Sequence, residues 1–142
     1  MLEPSRHFAD SHGAHRCAEL LREAADVQDY HHLDIWHRSM DYAVSVYEFA
    51  ADLPNEERYN LAAQLRSAVA SVPLNIAEGA GCGTNAEFAR FVGYAYRSLK
   101  EVVTCIELCE RIYRTIPRAA LEKLVDEGTQ ISRMTHTFMQ RL

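Results

Sequence analysis

A long run of apolar residues, spaced alternately four and three positions apart, constrains the fold of this chain most strongly. The run extends over residues 88–116 and consists of Phe88, Val92, Ala95, Leu99, Val102, Ile106, Cys109, Tyr113 and Ile116. Such spacing places one apolar seam along a helix that packs against other helices in a left-handed bundle. We expect this helix to end before Pro117, because a residue that precedes proline avoids helical backbone angles.

The same kind of periodicity predicts three more helices, at about residues 33–52, 55–79 and 118–141. Glycines at positions 79, 81 and 83 suit the end of the second helix, where a left-handed glycine is common. Thr84 and Glu87 have the spacing of a capping box at the start of the third helix. Because short connections join neighbouring helices in opposite directions, we predict an all-α fold, an antiparallel up-down-up-down four-helix bundle.

The residues that precede the bundle differ from it in charge and pattern. We predict an N-terminal extension over residues 1–30, partly disordered with a short helix at about 14–27, and a four-helix bundle domain over residues 31–142. Up to Asp29 the extension holds three arginines and six carboxylates, and the whole chain has a net charge of −5. The sequence shows neither an apolar signal core nor the roughly 20 apolar residues of a membrane-spanning helix. We therefore expect a cytoplasmic protein without a membrane segment.

The first predicted helix carries two apolar rows, whereas a helix at the edge of a monomeric bundle needs one. One row contains Trp36, Met40, Ala43, Tyr47 and Ala50, and the other contains Ile35, Tyr42, Val46, Phe49 and Leu53. We interpret the second row as a surface for another copy of the chain, with an oligomer interface at Ile35, Tyr42, Val46 and Phe49. The alternative is one wide apolar face that is buried wholly within the bundle.

A stripe of basic residues follows the third predicted helix. It consists of Arg90, Arg97, Lys100, Arg111, Arg114 and Arg118. A stripe of this kind suits a phosphate backbone. The alternative is a solvent-exposed face with ion pairs, because glutamates lie four positions from three of the arginines. The negative net charge also argues against bulk nucleic-acid affinity. The candidate nucleic-acid-binding residues are Arg66, Arg90, Arg97, Lys100, Arg111 and Arg114.

Sequence motifs of catalysis or cofactor binding are absent. The chain has no GxGxxG, P-loop, GxSxG or HExxH pattern, and no Glu-x-x-His pair of the kind that builds di-iron centres in bundles. The neighbouring residues with metal-ligand side chains are Asp29 and His32, Asp34 and His37, and in the extension His12, His15 and Cys17. We predict no enzyme activity, no metal site and no cofactor.

The second predicted helix carries a proline and a polar pair near its end, at Pro73, Asn75 and Glu78, followed by Gly79. A proline inside a helix removes one donor and frees the carbonyl four residues earlier. We expect Asn75 to bind that freed carbonyl. We expect Glu78 to pair with Arg66 of a neighbouring copy or with an arginine of the third helix. These four residues are therefore interpreted as a structural motif and not as catalytic groups.

Four segments carry a resemblance to a known family. They are residues 57–66, 64–79 with its Asn-Ile-Ala-Glu-Gly ending, 84–91 and 98–101. Together they resemble the bacterial four-helix-bundle family of 23S rRNA intervening-sequence proteins, which includes the accessory variability proteins of diversity-generating retroelements. The resemblance implies an up-down bundle that assembles into a ring, typically a homopentamer. It also implies a link to structured RNA and, in the retroelement branch, to a reverse transcriptase.

The residues and the resemblance together favour one function. We predict a non-enzymatic, ring-forming bundle that acts as an RNA-associated scaffold. The alternative is a scaffold for protein–protein interaction that has no nucleic-acid affinity. Salt dependence separates the two, because the neutralisation of phosphates makes binding steeply dependent on salt.

Overall fold

The computed structural model describes residues 29–142, which form four helices. They are α1 (Asp34–Ala51), α2 (Leu61–Ala80), α3 (Asn85–Ile112) and α4 (Arg118–Arg141). Short 3₁₀ turns at Tyr30–His32 and Asn55–Glu57 precede α1 and α2. Each helix packs on its neighbours in the chain, and α1 closes the bundle against α4 through less extensive contacts. The predicted all-α four-helix fold is confirmed, while the predictions for residues 1–28 lie outside the described residues.

The apolar periodicities of α3 and α4 correspond to the core of the bundle. Seven residues of the α3 seam, from Phe88 to Cys109, are buried. On α4 the buried residues include Leu121, Leu124, Gly128, Ile131 and Thr135. The structure thus confirms that these two helices each turn one apolar stripe towards their partners.

The two apolar rows of α1 are placed differently from the prediction. Ile35, Tyr42 and Val46 are buried in the core of the chain itself, and Phe49 is partly buried against the same core. They face inwards because α1 packs between α2 and α4. A second copy cannot reach side chains inside the bundle, so the predicted oligomer interface is wrong at Ile35, Tyr42 and Val46, whereas at Phe49 it stays a prediction. The exposed large apolar residues of α1 are instead Met40, Val44 and Tyr47.

Three helix termini differ from the sequence prediction. Helix α2 begins at Leu61 instead of at about residue 55, where a 3₁₀ turn forms. Helix α3 ends at Ile112, four residues before the position that Pro117 predicts; Tyr113 has left helical geometry there, and its hydroxyl donates to the carboxylate of Glu57. Gly81 follows α2 with φ −82° and ψ −5°, so the expected left-handed glycine does not occur there. Thr84 accepts a hydrogen bond from the amide of Glu87 at 3.2 Å, which confirms one half of the capping box.

A tyrosine of α1 crosses the core and reaches the backbone of α4. The hydroxyl of Tyr42 donates to the carbonyl oxygen of Leu124 at 2.9 Å. Burial raises the pKa of Tyr42 above its ordinary value. A Cβ atom at Gly128 would lie 2.4 Å from the tyrosine oxygen and 2.8 Å from Cγ2 of Val103. The absence of a side chain at Gly128 therefore makes room for Tyr42.

Candidate nucleic-acid interface

The six candidate cations do not form one continuous stripe. Arg90, Arg97, Lys100 and Arg111 are exposed on the face of α3 that is turned away from its buried seam. We refer to these four residues as the outer cations of α3. Arg114 lies in the turn that follows α3, since the helix ends at Ile112. The predicted stripe is therefore helical only as far as Arg111.

Three of the outer cations lie over aromatic rings of the same helix. Cζ of Arg90 is 5.6 Å from the ring centre of Phe91, Cζ of Arg97 is 6.0 Å from that of Tyr94, and Nζ of Lys100 is 5.2 Å from that of Tyr96. Such contacts contribute roughly 0.5–1 kcal/mol each at exposed sites. They hold the charged groups against the helix surface. Tyr94 remains exposed beside Arg97, and a cation beside an exposed ring is a combination that single-stranded nucleic acid binds.

The ion pairs that would have neutralised this face are not formed. Within residues 29–142, no carboxylate oxygen lies within 4.0 Å of a charged nitrogen of the outer cations. Glu101, which lies four positions after Arg97, accepts a hydrogen bond from Gln64 of α2 instead. The outer cations are thus available to an external anion as far as the described residues are concerned.

A groove beside the turn between α3 and α4 continues the positive charge. It has a volume of about 630 Å³, and Arg111, Arg114 and Arg118 are among its lining residues. Arg118 is neutralised, because its Nε lies 2.8 Å from Glu122 and 3.8 Å from Glu110. Arg111 and Arg114 are therefore the two cations of this groove that have no close carboxylate among the described residues.

Tyr113 lines the same groove as a neutral group. Its hydroxyl donates to Glu57, and this hydrogen bond raises the pKa of Tyr113 to about 12. Glu57 also accepts a hydrogen bond from the amide of Leu61 at 3.1 Å and so serves the first turn of α2. One carboxylate therefore joins the start of α2 to the end of α3.

Arg66 is separate from the other candidate cations. It lies on α2, and its guanidinium donates to the carbonyl oxygen of Arg58 at 3.1 Å. Both arginines line a groove of about 390 Å³ together with Ala50 and Ala51 of α1. Arg66 therefore belongs to the side of the bundle where α1 meets α2, and the structure does not join it to the outer cations.

The polar pair near the end of α2 makes contacts other than the predicted ones. Pro73 is buried inside α2, and the carbonyl that it frees is that of Val69. The amide of Asn75 donates to the carbonyl oxygen of Ser71 at 2.8 Å, so the expected bond to the freed carbonyl is wrong. Glu78 is exposed and has no cation within 4.0 Å in the described part of the chain, so its predicted pairing with an arginine of α3 does not form, and its pairing with Arg66 of a neighbouring copy stays a prediction.

Gly79 is required by the packing of α2 on α3. A Cβ atom at this position would lie 2.7 Å from Cδ2 of Phe88 and 2.9 Å from Cβ of Phe91. We expect Gly79→Ala to lower the free energy of unfolding by about 1–3 kcal/mol, the usual cost of overpacking. Urea denaturation of the two proteins measures this difference. Gly83→Ala is the control, since its Cβ would meet nothing within 4 Å, and equal losses in both variants would contradict the steric explanation.

The structure contains an apolar surface that the sequence analysis did not identify as a unit. Met40, Val44 and Tyr47 of α1 are 42%, 60% and 45% exposed, and Leu74 of α2 is 62% exposed. Leu74 lies two turns after Arg66, which adjoins α1. We refer to these four residues as the outer apolar face. Val44 and Leu74 are large apolar residues at positions where a monomeric bundle is usually polar. This departure from the usual pattern is the sequence signal that could have predicted the outer apolar face.

Residues 29–142 contain neither a cluster of metal-ligating side chains nor a cysteine with a lowered pKa. No group of three or more His, Cys, Asp or Glu side chains is arranged there to hold a metal ion. Cys105 and Cys109 are buried, and burial raises the pKa of both thiols, for Cys109 to about 11. Such thiols are poor nucleophiles. His12, His15 and Cys17 lie outside the described residues.

None of the helices within residues 29–142 is both long and apolar enough to cross a membrane.

Comparisons with known proteins agree with this architecture. A family model described as "23S rRNA-intervening sequence protein" matches residues 31–137. A crystal structure of a protein of unknown function from the S23 ribosomal protein family of Bacteroides thetaiotaomicron has the same fold. It matches with a TM-score of 0.68 and 22% identity, over 74% of this chain and 97% of that one. No curated protein matches this chain significantly. Because the family model covers most of the bundle, the chain belongs to the family of 23S rRNA-intervening sequence proteins.

Proposed function

We propose that this protein is a non-enzymatic, ring-forming scaffold that associates with structured RNA in the cytoplasm. The observation that carries the proposal is the set of outer cations on α3, which are exposed and have no close carboxylate among the described residues. Arg114 extends this positive surface into the groove at the end of α3. Phosphate groups are the anions that such a row of cations suits.

Assembly would strengthen a weak contact to RNA. The family resemblance favours a homopentamer, in which each copy presents the same outer cations. Linked binding sites raise overall affinity without any new kind of contact, provided that the geometry allows simultaneous binding. Simultaneous contacts from several copies would raise the affinity for RNA in spite of the net charge of −5 on each chain. In the retroelement branch of the family, a reverse transcriptase would be the protein partner of the same ring.

We propose the outer apolar face as the contact between copies. Met40, Val44 and Tyr47 lie on consecutive turns of α1, and Leu74 lies on the adjacent helix α2. Large exposed apolar side chains on neighbouring turns and on adjacent helices are typical of interaction surfaces on soluble proteins. Arg66 lies at one end of this face, within reach of a carboxylate from another copy, such as Glu78.

Charge reversal on α3 tests the association with RNA. We expect Arg97→Glu with Arg111→Glu to weaken binding to a 23S rRNA fragment and to reduce the slope of log affinity against log salt by about 1–2, since each lost phosphate contact removes up to about 0.9. Fluorescence anisotropy over a salt series measures both quantities. Arg133→Glu with Arg141→Glu on α4 is the control, because it changes the net charge equally. Equal effects in both double variants would contradict a role for the outer cations.

A protein-interaction scaffold without RNA affinity is the second candidate function. The outer apolar face and the negative net charge favour it. Native mass spectrometry of protein purified without nuclease or high salt distinguishes the two. A ring that carries polynucleotide supports the RNA scaffold, and a ring without polynucleotide supports the second candidate. A monomer under all conditions would contradict the assembly that both require.

A further inference from the structure

Two aromatic rings of α3 lie against each other and against two of the outer cations. Phe91 and Tyr94 meet edge to face, with ring centres 5.7 Å apart and ring planes at 85°. Cζ of Arg90 is 5.6 Å from the ring centre of Phe91, and Cζ of Arg97 is 6.0 Å from that of Tyr94. The contacts therefore run from cation to ring, to ring and to cation over about two helical turns. We refer to these four residues as the aromatic–cation row.

Tyr94 is the ring of this row that a ligand can reach. It is 40% exposed, whereas Phe91 is half-buried. A Cβ atom at Gly79 would lie 2.9 Å from Cβ of Phe91, so the packing of α2 on α3 confines Phe91. The contact of Arg97 with Tyr94 is the longest of the three on α3, and about 6 Å is the limit at which such contacts contribute. A planar group can therefore reach the ring of Tyr94 at little cost.

Tyr96, the third ring beside an outer cation, belongs to the contact between α3 and α4. It is half-buried, and its ring centre lies 5.4 Å from that of His136 on α4. Nδ1 of His136 is buried and has no hydrogen-bond partner within residues 29–142. Nζ of Lys100 lies 5.2 Å from the centre of the same ring. Tyr96 is therefore occupied by its neighbours, and Tyr94 is the ring that remains for an external partner.

An exposed ring beside a cation suits a nucleotide that is not base-paired. Bases inside a double helix are stacked on one another, so a protein ring stacks only on bases that are splayed out of a helix. Proteins that bind single strands combine cations along the backbone with rings on which bases stack. A surface for the backbone of a double helix would need the cations alone. The ring of Tyr94 therefore favours unpaired nucleotides.

The cations of the row lie on both sides of Tyr94. Arg90 and Arg97 are seven residues apart, which is a rise of about 10 Å along the helix. Both are exposed, and neither has a carboxylate oxygen within 4.0 Å among the described residues. A nucleotide that stacks on Tyr94 thus has one guanidinium on each side for the phosphates that precede and follow its base.

We infer that the aromatic–cation row binds an unpaired nucleotide of RNA. Its base stacks on Tyr94, and its flanking phosphates contact Arg90 and Arg97. This inference rests on the proposed association with RNA and names the part of the RNA that α3 contacts, which is a loop or another single-stranded segment. The remaining outer cations then extend the contact along the backbone of the same strand.

Fluorescence anisotropy with two RNA probes tests this inference. One probe is a labelled strand without self-complementarity, and the other is the same strand annealed to its complement. We expect Tyr94→Leu to weaken binding of the single strand by about 5- to 100-fold, the effect of one stacked base, and to leave binding of the duplex unchanged. Because leucine removes no charge, the slope of log affinity against log salt should stay the same. Unchanged duplex binding also shows that the variant is folded.

Two control variants make the result specific. Tyr94→Phe keeps the ring and should bind the single strand as the wild type does. Tyr59→Leu makes the same change in a tyrosine before α2 that is 82% exposed and has Cζ of Arg58 5.4 Å from its ring centre. It should also leave binding unchanged. A loss in either control equal to that in Tyr94→Leu would overturn the inference.

The two probes also separate this inference from the proposed function. If the wild type binds the duplex and Tyr94→Leu weakens neither probe, or both equally, the unpaired nucleotide on Tyr94 is excluded while the association with RNA stands. If the wild type binds neither probe, the association with RNA fails and the inference fails with it. A loss confined to the single strand supports both.

Discussion

Replacing Val46 with glutamate is expected to unfold the bundle. Val46 is fully buried in the core between α1 and its neighbours. A carboxylate at this position loses its hydration and gains no partner, which costs several kcal/mol. We expect the free energy of unfolding to fall by more than about 4 kcal/mol, compared with the roughly 5–15 kcal/mol that stabilise an ordinary domain. Circular dichroism against temperature measures the loss.

Val44→Glu is the matched comparison on the same helix. Val44 is 60% exposed, so a carboxylate at this position keeps its hydration. We expect its monomer stability to change by less than about 0.5 kcal/mol. The ring should dissociate, because the new charge lies within the outer apolar face. Native mass spectrometry measures the number of copies in the assembly. A stable ring in Val44→Glu would exclude this face as the interface, and a Val46→Glu protein as stable as the wild type would contradict the core position of Val46.

Gly128→Ala is expected to have the second large effect. The added Cβ would lie 2.4 Å from the hydroxyl oxygen of Tyr42 and 2.8 Å from Cγ2 of Val103. The tyrosine must move, and its hydrogen bond to Leu124 is then lost. Overpacking and the lost bond together lower the free energy of unfolding by roughly 2–5 kcal/mol, of which the better helix propensity of alanine returns about 1 kcal/mol. Urea denaturation measures the net loss.

A double-mutant cycle identifies the cause of that loss. Tyr42→Phe removes the oxygen that lies closest to the new Cβ, so Tyr42→Phe with Gly128→Ala should be more stable than Gly128→Ala alone. Residues in contact are coupled by roughly 0.5–3 kcal/mol in such cycles. Gly93→Ala is the control in α3, since its Cβ would meet only Sδ of Met139, at 3.4 Å. Additive losses from the two substitutions would contradict the steric account.

The sequence predicted those parts of the fold that depend on local periodicity. The seam of α3 up to Cys109 follows from spacing, and the bounds of α4 follow from spacing together with Pro117; the structure confirms both. Periodicity could not decide which row of α1 faces the bundle, because both rows have the same spacing and similar side chains. The packing of α2 and α4 on both sides of α1 decides it. Long-range contacts therefore placed Val46 inside and left Met40 and Tyr47 exposed.

The positions of the outer cations could also be predicted from the periodicity of one helix. A helical projection of α3 placed Arg90, Arg97, Lys100 and Arg111 on one exposed face, as the structure has them. It did not show that α3 ends at Ile112, where Tyr113 contacts Glu57, a residue that is distant in the sequence. The surroundings of Arg66 could not be predicted either, because they depend on how α2 packs on α1.

The lone tryptophan of the chain gives the molecule a built-in optical reporter. Trp36 lies where the described chain enters α1, and His31 and His37 meet it edge-on with ring centres 5.2 and 5.0 Å away. A protonated imidazole quenches indole emission, so the fluorescence of the whole protein reports on one junction. A rearrangement of the turn at Tyr30–His32 therefore changes the fluorescence of the unlabelled protein.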